Sequence, residues 1–521
     1  MKGPPPPTTA PRRRPRALPV LMLGLTVALA GCASRLPAGD AQAAVAVPSR
    51  WTAGGAEQAS SPTQLAGWWQ RLGDAELRTL VEDALRHSPS VQSAVAALRQ
   101  SRALADLARA GYSPSVSGSA SAQRSRSGSA DAVNSFGLGL DASWEPDLFG
   151  ATRAGVSAAE ADARAAQMGL GQVQVSLAAE VALAYIELRN QQARLAIAQD
   201  NLASQEDTLQ IARWRQQAGL VSALDVEQAA TSAEQTRAQL PLLQTARDQA
   251  RHRLAVLTGR APGTLAEPGT APVPLPPDDL VMAFPADTLR QRPDVRQAEA
   301  QVQAAWARVA QADAARYPSL RLSGSLGLQA LTLGSLTSGG SVLRSVLAGL
   351  SLPILDGGAI DARVRAQQAA FEQARAGYAS SVFTALQDVE DALVALQGDR
   401  ARIGHLQAAA DAAQRAEQLA RQQYQAGLID FNAVLSSQRT LLSAQDSAAA
   451  ARASLATDHV QLYKALGGGW EAEQHPPERL TALPPSPSGG GTTPAGGPSP
   501  SAAFAGMACA AAARVQCPDP S

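Results

Sequence analysis

The sequence contains an internal duplication, and this repeat restricts the folds that the chain can adopt. The stretch that begins at Pro89 (PSVQSAVA) returns at Pro293 (PDVRQAEA), and the stretch that begins at Pro114 (PSVSGSASA) returns at Pro318 (PSLRLSGSL), both 204 residues later. Each copy contains a short helical region, a β-like stretch, a very long helix, a glycine turn and a second helix. Such a duplicated unit is hard to explain as an enzyme. It is easier to explain as half of a tubular structure.

A heptad pattern runs through the long helical segment of each copy. The seven-residue spacing joins Leu188, Leu195, Leu202 and Leu209 in the first copy, and Val382, Val389, Leu396 and Ile403 in the second. A period of 3.5 residues makes helices supercoil around their neighbours. A helix of about 65 residues is roughly 100 Å long, so it must protrude from a compact domain of about 30 Å.

Glycine turns give each long helix a partner. Gly219 and Gly427 stand at corresponding places, and the chain returns from them as residues 222–258 and 430–466. We therefore predict two helical hairpins whose turns lie at one end. Pro241 sits inside the first return helix, and we expect it to kink or loosen that helix because proline lacks an N–H donor.

Period-two alternation predicts four β-strands, at residues 114–126, 132–145, 318–330 and 341–352. One predicted face of the second strand carries Phe136, Leu138, Leu140, Ala142 and Trp144. Segments of about ten alternating residues are a weak signature of outer-membrane strands, and a surface sheet is the alternative. Four strands cannot close into a pore, and an open edge leaves backbone groups unsatisfied in hydrocarbon. If these strands span a membrane, several copies must share them.

The N-terminus has the layout of an export signal. Basic residues up to Arg16 precede an apolar run at 17–30, which is shorter than the about 20 residues that span a bilayer. The run ends with LAGC, the form of a bacterial lipoprotein signal. We expect residues 1–31 to be removed and Cys32 to carry lipid, whereas an ordinary signal peptide with a chance cysteine is the alternative. Ala33, where Asp usually retains lipoproteins at the inner membrane, favours the outer membrane.

Composition divides the remaining chain into segments. Residues 32–65 are expected to tether the body to lipid, and residues 471–521 form a Pro/Gly/Ser/Ala-rich tail predicted to be disordered. Cys509 and Cys517 in the tail could pair in an oxidising periplasm, or the tail is a dispensable extension. Basic and acidic residues balance at 45 each, so nothing suggests nucleic-acid binding. The body divides into a helical segment at 66–112, a first β-hairpin at 113–147, a first long helical hairpin at 148–260, a linker at 261–288, a second-copy helix at 289–317, a second β-hairpin at 318–355 and a second long helical hairpin at 356–470.

Five motifs occur in an order that resembles the outer-membrane efflux factors of the TolC/OprM family, in particular its lipoprotein branch. They are GWW at 67–69, WEPDLFG at 144–150, LAVLTG at 254–259, LPILDGG at 352–358 and YQAG at 424–427. The resemblance implies a mainly α fold with a small membrane β part. Long antiparallel coiled-coil hairpins in tandem repeats would form an α-barrel, and four strands per protomer would contribute to a trimeric twelve-stranded β-barrel.

The same resemblance implies a function. The implied protein is an exit duct in the outer membrane that extends into the periplasm and passes small molecules outward. Its partners would be two further copies, a periplasmic adaptor (membrane fusion) protein, an inner-membrane efflux pump that supplies the energy, and outer-membrane lipid. No cofactor is implied.

The resemblance also assigns residues to the strand-to-helix elbows. In the first elbow we expect Pro146 to end the strand, Asp147 to cap the coming helix and Gly150 to allow close passage of another chain segment. The residues assigned to the second elbow are Pro353, Asp356 and Gly357.

At the tip, Asp225 fits the family's acidic residue, and Tyr424 fits the tyrosine that bonds toward it. The positions of lumen-facing aspartates in some relatives hold Ala433 and Ser436 here, so Asp430 is the nearest substitute and could instead cap a helix. We expect Asp225 and Tyr424 to help hold the tip closed. A helix-start acid and a packed aromatic are the alternative.

No catalytic constellation is visible in the sequence. The histidines, His87, His252, His405, His459 and His475, lack metal-ligand spacing, and there is no Walker motif, paired CxxC or GxSxG. We therefore predict neither an enzyme nor a metal site. A periplasmic adaptor lipoprotein and a membrane-tethered coiled-coil scaffold remain as rival functions, although an adaptor would have one hairpin rather than two in tandem.

Overall fold

A computed structural model of the chain describes residues 45–52, 65–267, 269–277 and 285–470. The predictions for the signal at 1–31, for Cys32, and for the tail with Cys509 and Cys517 lie outside these residues.

The described elements form two copies of one unit. The first copy contains a 3₁₀ helix (Trp68–Leu72), α1 (Ala75–His87), α2 (Pro89–Ala110), β1 (Ser115–Ser125), β2 (Val133–Trp144), α3 (Ala151–Gln217) and α4 (Ala223–Leu257). The second contains α5 (Pro285–Gln291), α6 (Pro293–Ala314), β3 (Ser319–Ala330), β4 (Val342–Ser351), α7 (Ala359–Gln425) and α8 (Phe431–Ala465). The lengths of α3 and α7 are both 67 residues, and those of α4 and α8 are both 35. The predicted tandem repeat is confirmed.

Local signals explain several helix starts. Pro89 and Pro293 occupy the first turn of α2 and α6, where the missing N–H costs nothing. Asp74 caps α1 by accepting hydrogen bonds from the amides of Glu76 (2.9 Å) and Leu77 (3.0 Å). The second copy also has two helices before its strands, so its helical region starts at Pro285, inside the segment that we expected to be linker.

The four long helices pack side by side in the order α4–α3–α8–α7. The heptad residues of α3 and α7 lie in this packing: Leu188, Val389 and Leu396 are buried, and Ile403 is partly buried. Polar bonds join α3 to α8 across the middle of the layer. They connect Arg194 to Asp446 (2.6 Å), Asn201 to Gln445 (2.8 Å) and Gln438 to Thr208 (2.9 Å).

Pro241 does not end α4. The helix is continuous from Ala223 to Leu257, and the proline lies on its exposed side. A carbonyl that loses its helical donor there can bond to water, so the helix continues past the proline.

The main apolar core surrounds the middle of the long helices. Trp68 is fully buried and its ring stacks on Tyr463, with 5.1 Å between ring centroids. Beside this core, Arg189 is buried, donates to the hydroxyl of Tyr185 (2.9 Å) and pairs with Glu76 (2.8 Å). Burial and a hydrogen bond to Asp74 raise the pKa of Tyr185. The network fastens α1 to α3.

A second buried arginine fastens the other copy. Arg292, just before α6, pairs with Asp294 (2.6 Å) and Asp388 (2.9 Å) and donates to the backbone carbonyl of Ala465 (2.8 Å). One side chain thereby joins the start of α6, the middle of α7 and the end of α8.

Part of the expected tether packs on the body. Val45 and Val47 pack against a small cluster that includes Leu289 and Val382. The amide of Thr52 donates to the carboxylate of Glu390 at 2.8 Å. Because Glu390 lies on α7, this hydrogen bond holds the stretch to the long helices.

Candidate functional site

The four strands form one antiparallel sheet in the order β1-β2-β3-β4. Its register places Leu138 beside Ala120 and Leu328, and Leu140 beside Gly118 and Leu326. Because side chains alternate between the two faces of a strand, this register assigns every strand residue to one of the two faces of the sheet.

One face, called the apolar face, collects the aliphatic and aromatic side chains. It consists of Val116, Gly118, Ala120, Ala122 and Arg124 on β1, Asn134, Phe136, Leu138, Leu140, Ala142 and Trp144 on β2, Leu320, Leu322, Gly324, Leu326, Leu328 and Ala330 on β3, and Val342, Arg344, Val346, Ala348 and Leu350 on β4. Several of these side chains are far more exposed than a soluble sheet tolerates; Val346 is 92% exposed and Leu350 71%.

The opposite face, called the serine face, is polar. It carries Ser115, Ser117, Ser119 and Ser121 on β1, Ser135, Asp141 and Ser143 on β2, Ser319, Arg321, Ser323 and Ser325 on β3, and Ser345 and Ser351 on β4, with apolar exceptions at Val133, Leu343 and Leu347. An apolar and a polar face on strands of 10 to 12 residues is the composition of a membrane β-barrel wall.

Both outer strands of the sheet have a free edge. Among the described residues β1 pairs only with β2, and β4 pairs only with β3, so one side of each lacks a β partner there. Edges of this length invite pairing with another strand.

Aromatic side chains collect at the end of the sheet that joins the helices. The indole of Trp144 donates to the carbonyl of Tyr112 (3.0 Å), and Phe149 stacks on Tyr317 with 5.2 Å between centroids. Membrane barrels place such rings at the interface between lipid and water.

The first elbow is built by Asp147 and Gly150, which follow Pro146. The carboxylate of Asp147 accepts hydrogen bonds from the amides of Thr152 (3.3 Å) and Arg153 (2.8 Å), so it caps α3 as the sequence predicted. Gly150 has a different role from the one expected. A Cβ there would meet no atom within 4 Å, and the glycine is needed because its φ is +84°.

The second elbow is displaced by one residue relative to the first. After Pro353, Asp356 accepts from the amides of Gly358 (2.9 Å) and Ile360 (2.7 Å). These bonds, that from Ile360 first, lower the pKa of Asp356. Gly358 (φ +84°) is the counterpart of Gly150, and Gly357 is a further left-handed residue at φ +66°.

Both hairpin turns end a helix in the same way. Gly219 and Gly427 have φ of +74° and +73°, and the next amide in each turn reaches back to the preceding helix. Leu220 donates to the carbonyl of Arg215 (2.8 Å), and Leu428 to that of Gln423 (2.9 Å). This glycine-dependent C-cap reverses the chain tightly.

The two turns lie together at one end of the helical layer. Residues of α3, α4, α7 and α8 share a buried cluster there, formed by Ala212, Val226, Ala229, Tyr424, Phe431, Val434 and Leu435. The guanidinium of Arg215 lies 4.3 Å from the centroid of the Tyr424 ring.

The candidate gate residues have local roles in the single chain. Asp225 forms a capping box with Ser222, whose amide donates a hydrogen bond to the Asp225 carboxylate at 3.0 Å. Asp430 caps α8 by accepting from Ala433 at 2.9 Å, in line with the capping alternative. Tyr424 is buried against Phe431, and its hydroxyl has no hydrogen-bond partner among the described residues, so it does not bond Asp225. The gate role itself stays a prediction.

An acidic pair lies between α7 and α8 away from the tip. Burial and the neighbouring Asp399 raise the pKa of Asp458 to about 6. One carboxylate oxygen of Asp458 is buried without a hydrogen-bond partner, and Asp399 is 3.8 Å from Arg402.

The sequence matches the family described as "Outer membrane efflux protein" twice, over residues 80–260 and 284–468. The chain belongs to this family. The two matched stretches coincide with the two structural repeats.

Individual relatives match over most of their length. The chain is 33% identical to the pyoverdine export outer membrane protein OpmQ of Pseudomonas aeruginosa, covering 82% of this chain and 93% of OpmQ. It is 32% identical to the antibiotic efflux pump outer membrane protein ArpC of Pseudomonas putida, covering 87% and 96%. Among solved structures, the outer-membrane channel OprN superposes with a TM-score of 0.74 at 34% identity, covering 82% of this chain and 99% of OprN.

These findings confirm the predicted channel function. The chain is an outer-membrane channel component of an efflux or export system and extends into the periplasm. The adaptor and scaffold alternatives gain no support, and the family and relatives are channel proteins rather than enzymes.

Sequence reasoning missed two features of the structure. The serine face could have been predicted from the stretch PSVSGSASA. Its serines alternate with small or apolar residues, and this alternation predicts a strand with one polar face. The anchoring roles of Arg189 and Arg292 have no comparable signal, because the carboxylates that they bind on other helices, Glu76 and Asp388, lie about a hundred residues away in sequence.

Proposed function

We propose that the chain works as a homotrimeric exit duct in which three copies share one barrel wall. The observation that carries this proposal is the amphipathic four-stranded sheet with two free edges, continuous with helices 67 residues long. In hydrocarbon every edge amide and carbonyl needs a partner, and four strands are too few to curl onto themselves.

Three copies give twelve strands and twelve long helices. The β4 edge of one copy would pair with the β1 edge of the next, and α7 would pack against α4 of the next copy. The apolar face would then meet lipid and the serine face would line water. The helices lead away from the sheet into the periplasm, so the turns between β1 and β2 and between β3 and β4 lie outside the cell.

A lipid on Cys32 would fasten each copy to the inner leaflet of the outer membrane. The residues from Val45 to Thr52 pack on the body, which fits a short path from anchor to helices.

The tip would receive the periplasmic adaptor, and an inner-membrane pump would supply the energy. Leu220 (72% exposed) and Leu428 (74%) occupy corresponding places beyond the two glycine turns, and Trp214 is 60% exposed nearby. Exposed apolar side chains at a helical tip suit a protein partner. Relatives are named for pyoverdine in one case and antibiotics in another, so the cargo class proposed is small molecules in general.

The oligomer is tested by native mass spectrometry of the full-length protein extracted in detergent. The expected result is a trimer that dissociates on heating, and a monomer with a sealed sheet would contradict the proposal. The lipid face is tested with Leu140→Arg. It should abolish trimer assembly in the outer membrane because an arginine near mid-bilayer costs about 2–4 kcal/mol. Ser119→Arg, at nearly the same depth on the serine face, should assemble normally.

The gate is tested separately in planar bilayers. Asp225→Ala and Tyr424→Phe should each raise single-channel conductance if these residues hold the tip closed, while Asp430→Ala serves as a cap-loss control. Conductance equal to that of the parent in both variants would leave them only their capping and packing roles.

A further inference from the structure

Only four charged side chains occur within the four strands, and two of them lie on the apolar face. Asp141 and Arg321 are on the serine face, whereas Arg124 and Arg344 are on the apolar face. Arg124 is the last residue but one of β1, and Arg344 is the third residue of β4. Both arginines therefore lie near the turns, at the end of the sheet farthest from the helices.

These two arginines are exposed and have no hydrogen-bond or ion-pair partner among the described residues. On the same face Leu326 is directly opposite Arg344 and Asn134 is directly opposite Arg124, and the other strand residues around them are apolar or small. The adjoining turn adds Arg126 and Asp131, whose charges cancel. A lipid-facing arginine is costly at mid-bilayer and becomes tolerable near the headgroups, where the guanidinium reaches polar atoms.

The two arginines belong to the two free edges, so the proposed trimer brings them together. The register that pairs Val342 with Arg124 of the adjacent copy aligns all ten residues of β4. It places Arg344 one diagonal step from that Arg124, about 7–8 Å away. A shift of one residue would mix the apolar and serine faces, so the next allowed register is two residues away. That register sets Arg344 directly opposite Arg124, at about 5 Å.

Two like charges at this distance repel each other unless an anion lies between them. Arginine binds phosphate oxygens with paired N–H donors, so two guanidinium groups side by side make a phosphate clamp. The outer surface of an outer membrane offers phosphate at this depth, on phosphorylated glycolipid headgroups.

We propose that each junction between protomers binds the phosphate of an outer-leaflet glycolipid between Arg344 of one copy and Arg124 of the next. The inference rests on the proposed trimeric barrel and adds a lipid site to it. Three sites per trimer would each join two edge strands through one headgroup, reinforcing the wall where no covalent chain crosses it.

The test uses the full-length trimer in detergent with diphosphoryl lipid A as the probe. Native mass spectrometry counts the lipid A molecules retained as its mole fraction rises. The parent should retain up to three per trimer, and Arg124→Gln/Arg344→Gln should need about ten times more lipid A for half-saturation. Arg321→Gln, which removes one positive charge from the serine face, should behave as the parent. Equal retention by the parent and the double variant would overturn the proposal.

Two further arms protect the interpretation. If the double variant does not assemble, the parent alone is compared with lipid A stripped of both phosphates; equal retention overturns the proposal, and loss of retention supports it. Inorganic pyrophosphate that binds the parent as tightly as lipid A would show anion binding without a lipid site and would overturn the lipid assignment. A trimer that retains no lipid A contradicts this inference alone, whereas a monomer in the same spectra contradicts the shared barrel.

Discussion

The two longest helices, α3 and α7, have the same length but differ in how much of their surface is buried. Both α3 and α7 contain 67 residues and both follow a glycine with a φ of +84°. Yet α3 buries 27 of its residues and α7 only 11. The order α4–α3–α8–α7 explains the difference, because α3 has neighbours on both sides and α7 lies at the lateral edge.

This contrast shows what duplication conserves and what it leaves to assembly. Backbone length and turn geometry repeat from one copy to the next, but burial depends on neighbours. The contact of α3 with α8 joins the first repeat to the second. In the proposed trimer its symmetric counterpart would join α7 to α4 of the next copy, so the exposed flanks of α7 and α4 would form one interface.

The largest expected effect comes from a cross-link placed by this symmetry. Thr208 of α3 bonds Gln438 of α8, and a shift of 208 residues relates this pair to Ala416 and Ala230. With Cys509→Ser and Cys517→Ser, Ala416→Cys/Ala230→Cys should be joined between copies by a short bismaleimide, giving covalent trimers on denaturing gels.

The matched control is Ala416→Cys/Gln235→Cys, because Gln235 is exposed on another side of α4. Cross-linked trimers from the control and none from the symmetric pair would show that α7 and α4 do not meet in this way.

The next effect separates the interiors of the two repeats. Arg189→Met should lower the free energy of unfolding by about 2–3 kcal/mol, because it removes a buried guanidinium from Tyr185 and from half-exposed Glu76. Its counterpart Gln397 is exposed, so Gln397→Met should change stability by less than about 0.5 kcal/mol. Denaturant unfolding of the solubilised protein measures both, and equal losses would contradict the contrast.

A smaller effect depends on pH and belongs to the second repeat alone. Asp399 and Asp458 correspond to Gln191 and Ala250 in the first. The folded chain keeps the proton of Asp458 up to about pH 6, whereas an unfolded chain releases it near about pH 4. Folding therefore loses stability as the pH rises from about 4 to 6, and the loss stays constant above that.

Asp458→Asn should consequently raise the melting temperature above about pH 6 and leave it unchanged near about pH 4. Because the carboxyl is only half-buried, we expect a gain of about 1 kcal/mol. Asp446→Asn, which breaks the 2.6 Å bond to Arg194, should give no gain at either pH. A gain from Asp458→Asn that is the same at both pH values would argue against the raised pKa.

The smallest effect distinguishes the two hairpin tips. Ser222 and Asp430 occupy the same position in the repeat, but Ser222 has a reciprocal partner in Asp225 where the second copy has Ala433. Ser222→Ala should cost about 1 kcal/mol and Asp430→Ala about 0.5 kcal/mol of local stability. Amide hydrogen exchange in the first turns of α4 and α8 reports this directly, and faster exchange after Asp430→Ala than after Ser222→Ala would reverse the ranking.

How far the sequence predicts this protein depends on how local each feature is. The strand bounds are reproduced to about one residue, because Pro114 and Pro318 end the preceding segments and alternation does the rest. The predicted role of Gly150 was wrong, because the sequence alone does not show whether a glycine is needed for a left-handed φ or for close packing. The partner of Tyr424 depends on neighbours from other parts of the chain, and no local pattern specifies them.

In the proposed barrel the serine face would line the channel and would affect how long a passing molecule stays bound to its wall. Short hydroxyl groups offer every solute bonds about as good as those of water, and each such bond contributes little net free energy. Apart from Asp141 and Arg321, the described strands place no charge on that wall. In such a channel cargo would meet few strong binding sites on its way out, and diffusion would set the transit speed.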